Sequence, residues 1–183
     1  MRKIAAHLFS SADGAVDEPY RFQFDSFDEA TGQAMGRNLS TVDAMLLGRV
    51  LYEEWAEYWP GKDDPDDFGA FINPLPKYVV SATLQEPLAW QNSTLLHHDP
   101  IEAIRALKAS EGGDISVGGI TLIRSLIEHD LLDELLLTVH PALAGNGRHL
   151  MHGHDDVTRL ELVAHEVTEK GNLLLTYRPR PRD

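Results

Sequence analysis

The amino-acid sequence predicts an α/β fold in which helices connect the strands of a mainly parallel sheet. Short β-rich runs alternate with stretches of helical periodicity, which is the pattern of strand–helix–strand units. Two runs, residues 45–47 and 78–80, are apolar without interruption, as expected of strands covered on both faces. Near the end, residues 160–168 and 173–178 flank Glu169-Lys170-Gly171-Asn172, which predicts an antiparallel hairpin.

Each element has its own local signal. We predict strands over residues 4–10, 44–48, 77–81, 94–97, 115–117, 134–139, 160–168 and 173–178. Ser26 followed by Glu29 indicates a capping box, and Asp99 followed by Pro100 and Glu102 indicates a second one. Residues 49–59 and 121–129 are also predicted to be helical, the latter directly after Gly118-Gly119.

The length and the connections favour one domain. A chain of 183 residues buries about 70% of its unfolded surface within a single core. Residues 60–67 combine turn formers with acids and are predicted to form a surface loop. We therefore expect a single domain over residues 1–178, followed by a frayed tail at 179–183.

Net charge, hydropathy and cysteine content limit the partners and the compartment that we expect for the protein. The formal net charge of −13 opposes binding to nucleic acid and to anionic membranes, although a small anionic cofactor needs only local donors. No segment approaches the ~20 apolar residues that span a bilayer. The absence of cysteine excludes disulfides and thiolate sites, and the apolar run 4–9, interrupted by His7, is interpreted as a strand and not a signal peptide. We expect a cytoplasmic protein without a membrane partner.

Three strand-to-helix junctions carry residues suited to an anionic ligand. Gly118-Gly119 lets a phosphate approach a helix N-terminus, and the same pair also makes a tight turn with nothing bound. Gly48-Arg49 places a cation where a helix begins, either for an anion or for a nearby acid. Ser81-Ala82-Thr83 brings hydroxyls to a strand end, where they serve a ligand or a turn. Consecutive junctions of this kind align along one sheet edge.

Four longer segments resemble a known family. They are Leu47-Gly48-Arg49-Val50-Leu51-Tyr52-Glu53, residues 77–84, Val117-Gly118-Gly119 with residues 131–135, and residues 140–147. In order and spacing, from about residue 2 to residue 178, they look like the dihydrofolate-reductase-like fold, in the branch containing the reductase domain of riboflavin biosynthesis. This resemblance implies a three-layer fold with a mainly parallel, mixed sheet flanked by helices.

The resemblance also implies NADPH-dependent reduction of a small pterin- or pyrimidine-like substrate, and a homodimer. It assigns Gly48 and Arg49 to the adenosine phosphates, Ser81 and Thr83 to the ribose 2′-phosphate and Gly118-Gly119 to the pyrophosphate. Val50, Leu51, Ala82, Ile120 and Leu122 complete the expected cofactor groove. Asp13, in Ser11-Ala12-Asp13-Gly14, corresponds to the family's loop near nicotinamide and substrate and is the candidate catalytic residue, alongside water as the proton source.

Three positions depart from the family pattern. Leu51 stands where threonine is usual, Val117 where riboflavin-pathway reductases carry glutamate, and Ala15 where they carry lysine. The carboxylate that binds the heterocycle is not located either, since Asp25, Asp28 and Glu29 are equally explained by helix initiation. These departures leave a second hypothesis open, a non-catalytic nucleotide-binding or interaction protein that keeps the fold.

Histidines supply the remaining candidates. His149, His152 and His154 with Asp155 and Asp156 have the chemistry of metal ligands, but their glycine-rich setting favours an exposed loop, and no metal is expected. The pair His97-His98 and His140 are interpreted as structural, because no serine partner for a catalytic triad is evident.

Overall fold

A computed structural model describes residues 1–64, 68–154 and 156–180. An eight-stranded sheet has the order β4-β3-β2-β5-β1-β6-β8-β7. The strands are β1 (Ile4–Ser11), β2 (Val42–Gly48), β3 (Lys77–Val80), β4 (Ser93–Leu96), β5 (Asp114–Gly118), β6 (Glu134–His140), β7 (Leu160–Val167) and β8 (Leu173–Pro179). The strands that the sequence predicts are all present, with ends that differ by at most a few residues.

The sheet is parallel from β4 to β6 and becomes antiparallel at the C-terminal hairpin. β1 pairs in parallel with β5 on one side and with β6 on the other. β2 lies in parallel between β3 and β5, while β8 pairs antiparallel with both β6 and β7. The carboxyl ends of β3, β2, β5, β1 and β6 therefore share one edge, which is where open α/β sheets bind ligands.

The helices connect the strands and begin at identifiable caps. They are α1 (Glu29–Leu39), α2 (Arg49–Tyr58), α3 (Phe68–Ile72), α4 (Pro100–Ala109) and α5 (Ile120–Glu128), with a short 3₁₀ turn at Pro19–Arg21. Asp99 caps α4 as predicted, since its carboxylate accepts a hydrogen bond from the N–H of Glu102. The predicted cap of α1 is wrong. Asp28, and not Ser26, accepts from the N–H of Thr31, while Ser26 Oγ lies 2.6 Å from His140 Nδ1.

Two apolar clusters cover opposite faces of the sheet. Ala44 and Leu46 of β2 point into one cluster, where α4 and α5 pack through Ile104, Ile123 and Leu126. The alternate residues Met45 and Leu47 point into the other, with Tyr52 of α2 and Ile72 of α3. This alternation follows from the period of a β-strand and gives the three layers that the resemblance implies.

Parts of three predictions concern residues that the structure does not describe. Of the predicted surface loop, residues 65–67 lie outside the described residues, as do residues 181–183 of the predicted frayed tail and Asp155 of the histidine-rich segment. Within the described ranges, no helix has both the length and the apolar character needed to cross a membrane.

Candidate functional site

Glycines at the ends of β2 and β5 bring two backbone segments into contact. A Cβ atom built on Gly119 would lie 3.2 Å from both the Cα and the N of Gly48, and Gly119 has a φ of +107° that favours glycine. Gly48 caps α2 and Gly119 caps α5, in each case without a side-chain hydrogen bond. Two helix N-termini therefore open side by side with N–H groups that no capping side chain occupies. We call this arrangement of Gly48, Gly118 and Gly119 the glycine cradle.

Leu51 occupies the space above the glycine cradle. A Cβ atom on Gly118 would lie 2.5 Å from Leu51 Cδ2, so the isobutyl group fills the volume that a side chain at position 118 would need. Its half-buried side chain packs against the cluster around Tyr52. Leu51 thus presents carbon, and no hydroxyl, to a ligand in the cradle.

Arg49 is placed at the first position of α2, next to the cradle. Its guanidinium lies 2.8 Å from the carboxylate of Glu53, one turn along the helix, and both side chains are exposed. An exposed i,i+4 pair of this kind holds its partners weakly. The sequence allowed Arg49 to bind either an anion or a nearby acid, and in this structure it pairs with the acid Glu53. Because the pair is exposed, an anion could replace Glu53 as the partner of the guanidinium.

The Ser81-Ala82-Thr83 junction forms a compact turn. Ser81 Oγ accepts hydrogen bonds from the N–H groups of Thr83 and Leu84, at 3.1 and 3.0 Å, and Ser81 is buried. Ala82 and Thr83 are exposed. Ser81 therefore shapes the end of β3, which leaves the hydroxyl of Thr83 as the group available to solvent or to a ligand.

The other predicted groove residues divide by exposure. Val50 is exposed at the start of α2 and Ile120 is half-buried at the start of α5, so both lie at the rim of the cradle. Leu122 is buried, and its Cβ supports the backbone of Gly48 from within the core.

Asp13 fastens two loops together. Its carboxylate accepts hydrogen bonds from Ser11 Oγ at 2.6 Å and from the N–H groups of Ala144 and Gly145 at 2.9 Å each. These donors, the Ser11 hydroxyl above all, hold the pKa of Asp13 well below its usual range. An ionised carboxylate that accepts three hydrogen bonds is poorly suited to donating a proton, and these bonds hold the end of β1 to residues 144 and 145.

A cavity of about 210 Å³ opens at the carboxyl end of β6. It is lined by Phe22, Asp25, Ser26, Pro141, Ala142 and Lys170. The N–H of Ala12 donates to the carbonyl of Ala142 at 2.7 Å, which ties this cavity to the end of β1. Because β1 separates β5 from β6 in the sheet, the cavity and the glycine cradle lie along the same edge. We call this cavity the loop cavity.

Beneath the loop cavity lies a buried polar network centred on His140. Besides its contact with Ser26, this fully buried ring packs against Phe22 and Phe9. The side-chain amide of Asn172 donates to the carbonyl of Ser26 and to Thr31 Oγ1. Burial lowers the pKa of His140, against an opposing contribution from Asn172, so the ring is neutral near pH 7.

The structure distinguishes Asp28 from Asp25, two of the carboxylates that the sequence left as candidates for binding the heterocycle. Hydrogen bonds from Thr168 and Thr31, with one from the N–H of Lys170, hold the pKa of Asp28 well below its usual range and commit it to capping. Asp25, in contrast, lines the loop cavity together with Lys170, whose Nζ donates to the carbonyl of Asp25. Lys170 was not a candidate from the sequence, because it lies in the hairpin turn, 145 residues from Asp25.

The histidine-rich segment does not assemble a metal site among the residues that the structure describes. His154 Nδ1 lies 2.7 Å from Glu128, at the end of α5. His149 packs instead against Gly14, where a Cβ atom would lie 2.9 Å from its Nδ1. His97 and His98 are exposed at the end of β4, with ring centroids 3.9 Å apart.

Comparison with solved structures defines the class of protein. The chain matches a putative riboflavin biosynthesis protein from Shewanella sp. PV-4 with a TM-score of 0.73, at 20% identity over 98% of this chain and 99% of that one. It matches dihydrofolate reductase from Enterococcus faecalis, complexed with NADP(H), with a TM-score of 0.59, at 18% identity over 98% and 97% of the two chains. The protein has the dihydrofolate-reductase-like fold, as its sequence predicts.

The family follows from sequence. The family model of the RibD C-terminal domain matches residues 2–174. The uncharacterized protein YyaP of Bacillus subtilis (strain 168) is 31% identical over 144 residues, which cover 76% of this chain and 75% of that protein. A deaminase/5-amino-6-(5-phosphoribosylamino)uracil reductase from Thermotoga maritima shares the fold with a TM-score of 0.69, at 15% identity over 98% of this chain and 57% of that one. The chain belongs to the RibD C-terminal domain family.

Proposed function

We propose that this protein is an NADPH-dependent reductase of a small heterocyclic substrate of the pterin or pyrimidine type. The observation that carries the proposal is the glycine cradle, in which two uncapped helix N-termini meet at the same sheet edge as the loop cavity. Family membership adds a reductase-like fold.

The residues present fit a dinucleotide. Pyrophosphate needs close backbone approach and the free N–H groups of a helix N-terminus. Gly48 and Gly119 approach each other closely, and each precedes the first turn of a helix that no side chain caps. Arg49 follows Gly48 directly as a charged partner, and Thr83 supplies a hydroxyl three residues after Val80, which pairs with Gly48. Val50 and Ile120 lie at the rim of the cradle, and Ala82 lies in the exposed turn after β3. Bound NADPH would supply the hydride, while the protein supplies binding and orientation.

The loop cavity supports a substrate site. Phe22 and Pro141 offer apolar surface to a flat ring, and Asp25, Ser26 and Lys170 offer polar groups along its edge. The hydrogen bonds of Asp13 fix residues 144–145, which follow the cavity residues Pro141 and Ala142, against the end of β1. Water, and not the ionised Asp13, is the proposed source of the proton.

The proposal also covers the oligomeric state and the cellular location of the protein. We propose a cytoplasmic homodimer that has no nucleic-acid or membrane partner. Support for the dimer comes from the hairpin β7–β8, which leaves Leu162, Val163, Val167 and Leu173 substantially exposed.

Two observations favour a second candidate, a nucleotide-binding protein without reductase activity. Leu51 covers Gly118 with carbon where a hydroxyl would hold a phosphate. Val117 is fully committed to the core, so it offers no polar group to a substrate. Binding of NADPH without turnover of any substrate would favour this candidate over the reductase.

The first experiment is a thermal-shift titration with NADPH. Ligand at about 100 times its Kd should raise the unfolding midpoint by about 5–10 °C in a protein of this size. The second experiment follows NADPH oxidation with 5-amino-6-(5-phosphoribosylamino)uracil and with dihydrofolate as substrates. A flat thermal response would reject the reductase and the nucleotide-binding candidate together.

A matched pair of variants tests the cradle itself. Gly119→Ala adds a methyl group at positive φ and 3.2 Å from Gly48, so we expect a large loss of NADPH affinity. Gly36→Ala, in α1, adds the same methyl group where no atom lies within 4 Å, and it should bind NADPH like the parent chain. Unchanged affinity in a folded Gly119→Ala chain would refute the cradle.

A further inference from the structure

A serine and a histidine form a close pair at the wall of the loop cavity. Ser26 Oγ lies 2.6 Å from His140 Nδ1, and Ser26 is one of the residues that line the cavity. The two residues are 114 positions apart, so no local pattern in the sequence indicates that they meet. A hydroxyl this close to an imidazole nitrogen has the geometry of a nucleophile next to its general base.

The other side of the His140 ring faces Asn172. The amide nitrogen of Asn172 donates to the carbonyl of Ser26 and to Thr31 Oγ1, which leaves its Oδ1 as an acceptor. His140 Nε2 and Asn172 Oδ1 are both buried, and neither makes a further hydrogen bond to the residues that the structure describes. Burial lowers the pKa of His140, and hydrogen bonding with the Asn172 side chain opposes this effect. The proton of the neutral ring is therefore assigned to Nε2, which leaves the Nδ1 lone pair to the Ser26 hydroxyl.

The charges around the pair favour proton transfer from Ser26 to His140. Asp25 and Asp28 oppose the effect of burial on the His140 pKa, because their negative charges stabilise an imidazolium. His7, whose own ring is affected by His140, is neutral near pH 7, since burial lowers its pKa to about 4. The imidazolium that forms when His140 takes the serine proton is thus supported by two carboxylates.

Lys170 brings a positive charge to the same cavity. Its Nζ donates to the carbonyl of Asp25, the residue before Ser26, so the ammonium is held close to the serine. An ammonium carries three N–H groups, and those not directed at Asp25 suit an oxyanion formed at the cavity wall.

We propose that the protein also hydrolyses small acyl esters, with Ser26 as the nucleophile, His140 as the general base and Asn172 as the positioning residue. Ser26 Oγ bonds to the carbonyl carbon while its proton moves to His140 Nδ1, and the alcohol then leaves with that proton. Water attacks the acyl-serine and gives a proton to His140, which returns it to Ser26 Oγ as the acid departs.

The cavity limits the acyl group to a short chain. Its volume is about 210 Å³, and Phe22 and Pro141 supply apolar surface for the acyl carbons. The reaction consumes water and no NADPH, so this activity goes beyond the proposed reductase and does not depend on it.

The first test uses a fluorophosphonate probe and p-nitrophenyl acetate, both without NADPH. We expect the probe to label the parent chain at Ser26, as located by peptide mass mapping. Ser26→Ala should abolish the labelling and slow ester hydrolysis by about 100-fold or more, the contribution of a serine activated by a general base. The control is Ser93→Ala, because Ser93 Oγ is also buried but has no hydrogen-bond partner among the described residues. This control should hydrolyse the ester like the parent.

The second test measures the pair without relying on turnover. The chain has no cysteine, so Ser26→Cys introduces a single thiol. Next to His140 this thiol should ionise well below the ordinary pKa of about 8.5, as measured by thiolate absorbance and by the rate of alkylation with iodoacetamide. Ser40→Cys, at an exposed position, should titrate in the ordinary range. Adding Asn172→Ala to Ser26→Cys should return the thiol pKa toward that range, and an unchanged pKa would overturn the role of Asn172.

The outcomes separate this inference from the proposed reductase. An unlabelled parent chain, or a Ser26→Ala chain that hydrolyses the ester like the parent, would overturn it. A Ser26→Cys thiol that titrates like the Ser40→Cys thiol would show that the Ser26–His140 contact is structural only. None of these results bears on NADPH binding, so the reductase proposal stands or fails by its own titration.

Discussion

At the scale of single residues, we expect Leu51 to limit how tightly the proposed site at the glycine cradle holds a phosphate. Its Cδ2 occupies the space over Gly118. Leu51→Thr should bind NADPH about three- to tenfold more tightly than Leu51→Val, because the two replacements are isosteric and one hydroxyl adds one hydrogen bond. Isothermal titration of both chains measures the difference, and equal affinities would place the phosphates elsewhere.

A second residue, His7, should govern stability in acid. Burial, with a smaller contribution from His140, lowers its pKa to about 4. The unfolded chain binds the proton near the ordinary imidazole pKa of about 6.5, so stability is full above that pH and declines as the pH falls toward 4. His7→Gln should remove up to about 3 kcal/mol of this decline.

Urea unfolding at several pH values between about 4 and 7 tests the role of His7. His152→Gln, at an exposed turn position, is the control and should keep the parent's acid dependence. If His7→Gln loses stability in acid as the parent does, groups other than His7 cause that loss.

At the scale of elements, α1 depends on its cap more than on its core contacts. Only Thr31 of its eleven residues is buried. Asp28→Ala should therefore lower the unfolding midpoint by about 2–4 °C, while Asp28→Asn retains a capping oxygen and should lower it less. Differential scanning calorimetry of the two chains tests this, and equal midpoints would show that the cap does not support the helix.

Local signals predict most elements but do not rank nearby alternatives. Continuous apolar runs predict the central strands β2 and β3, because burial on both faces leaves that pattern in the sequence. Turn residues predict the hairpin β7–β8, whose first strand is mostly exposed. Ser26 and Asp28 are both good caps, and the choice between them depends on His140, which is remote in sequence and takes the Ser26 hydroxyl. The five-residue α3 carries too few turns for a periodic signal, so it was not predicted.

In the candidate site, too, the residues with a local sequence signal were predicted, and those that depend on remote contacts were not. The glycines of the cradle are recognisable in sequence, because each lies where a predicted strand meets a predicted helix. Lys170 and Asp25 meet only through the folding of the hairpin over the loop after β1, and no local pattern indicates that contact. The structural role of Asp13 likewise depends on donors about 131 residues away.

At the scale of the whole molecule, the exposed hairpin should determine assembly. Val167 and Leu162 are 64% and 49% exposed. If two copies meet there, Val167→Glu/Leu162→Glu should convert the dimer to a monomer in light scattering coupled to gel filtration. Tyr58→Glu, on α2 and 57% exposed, should leave the dimer intact. A monomeric parent chain would contradict the proposed homodimer.

The position of β1 has a consequence for biosynthesis. This first strand ends up between β5 and β6, with Ile4 opposite Ile115 and Ala5 opposite Glu134. About 110 residues separate Ile4 from Ile115, so this much further chain must be synthesised before either edge of β1 finds a neighbour. Until then an apolar segment stays unpaired, which is the condition that recruits chaperones and slows folding.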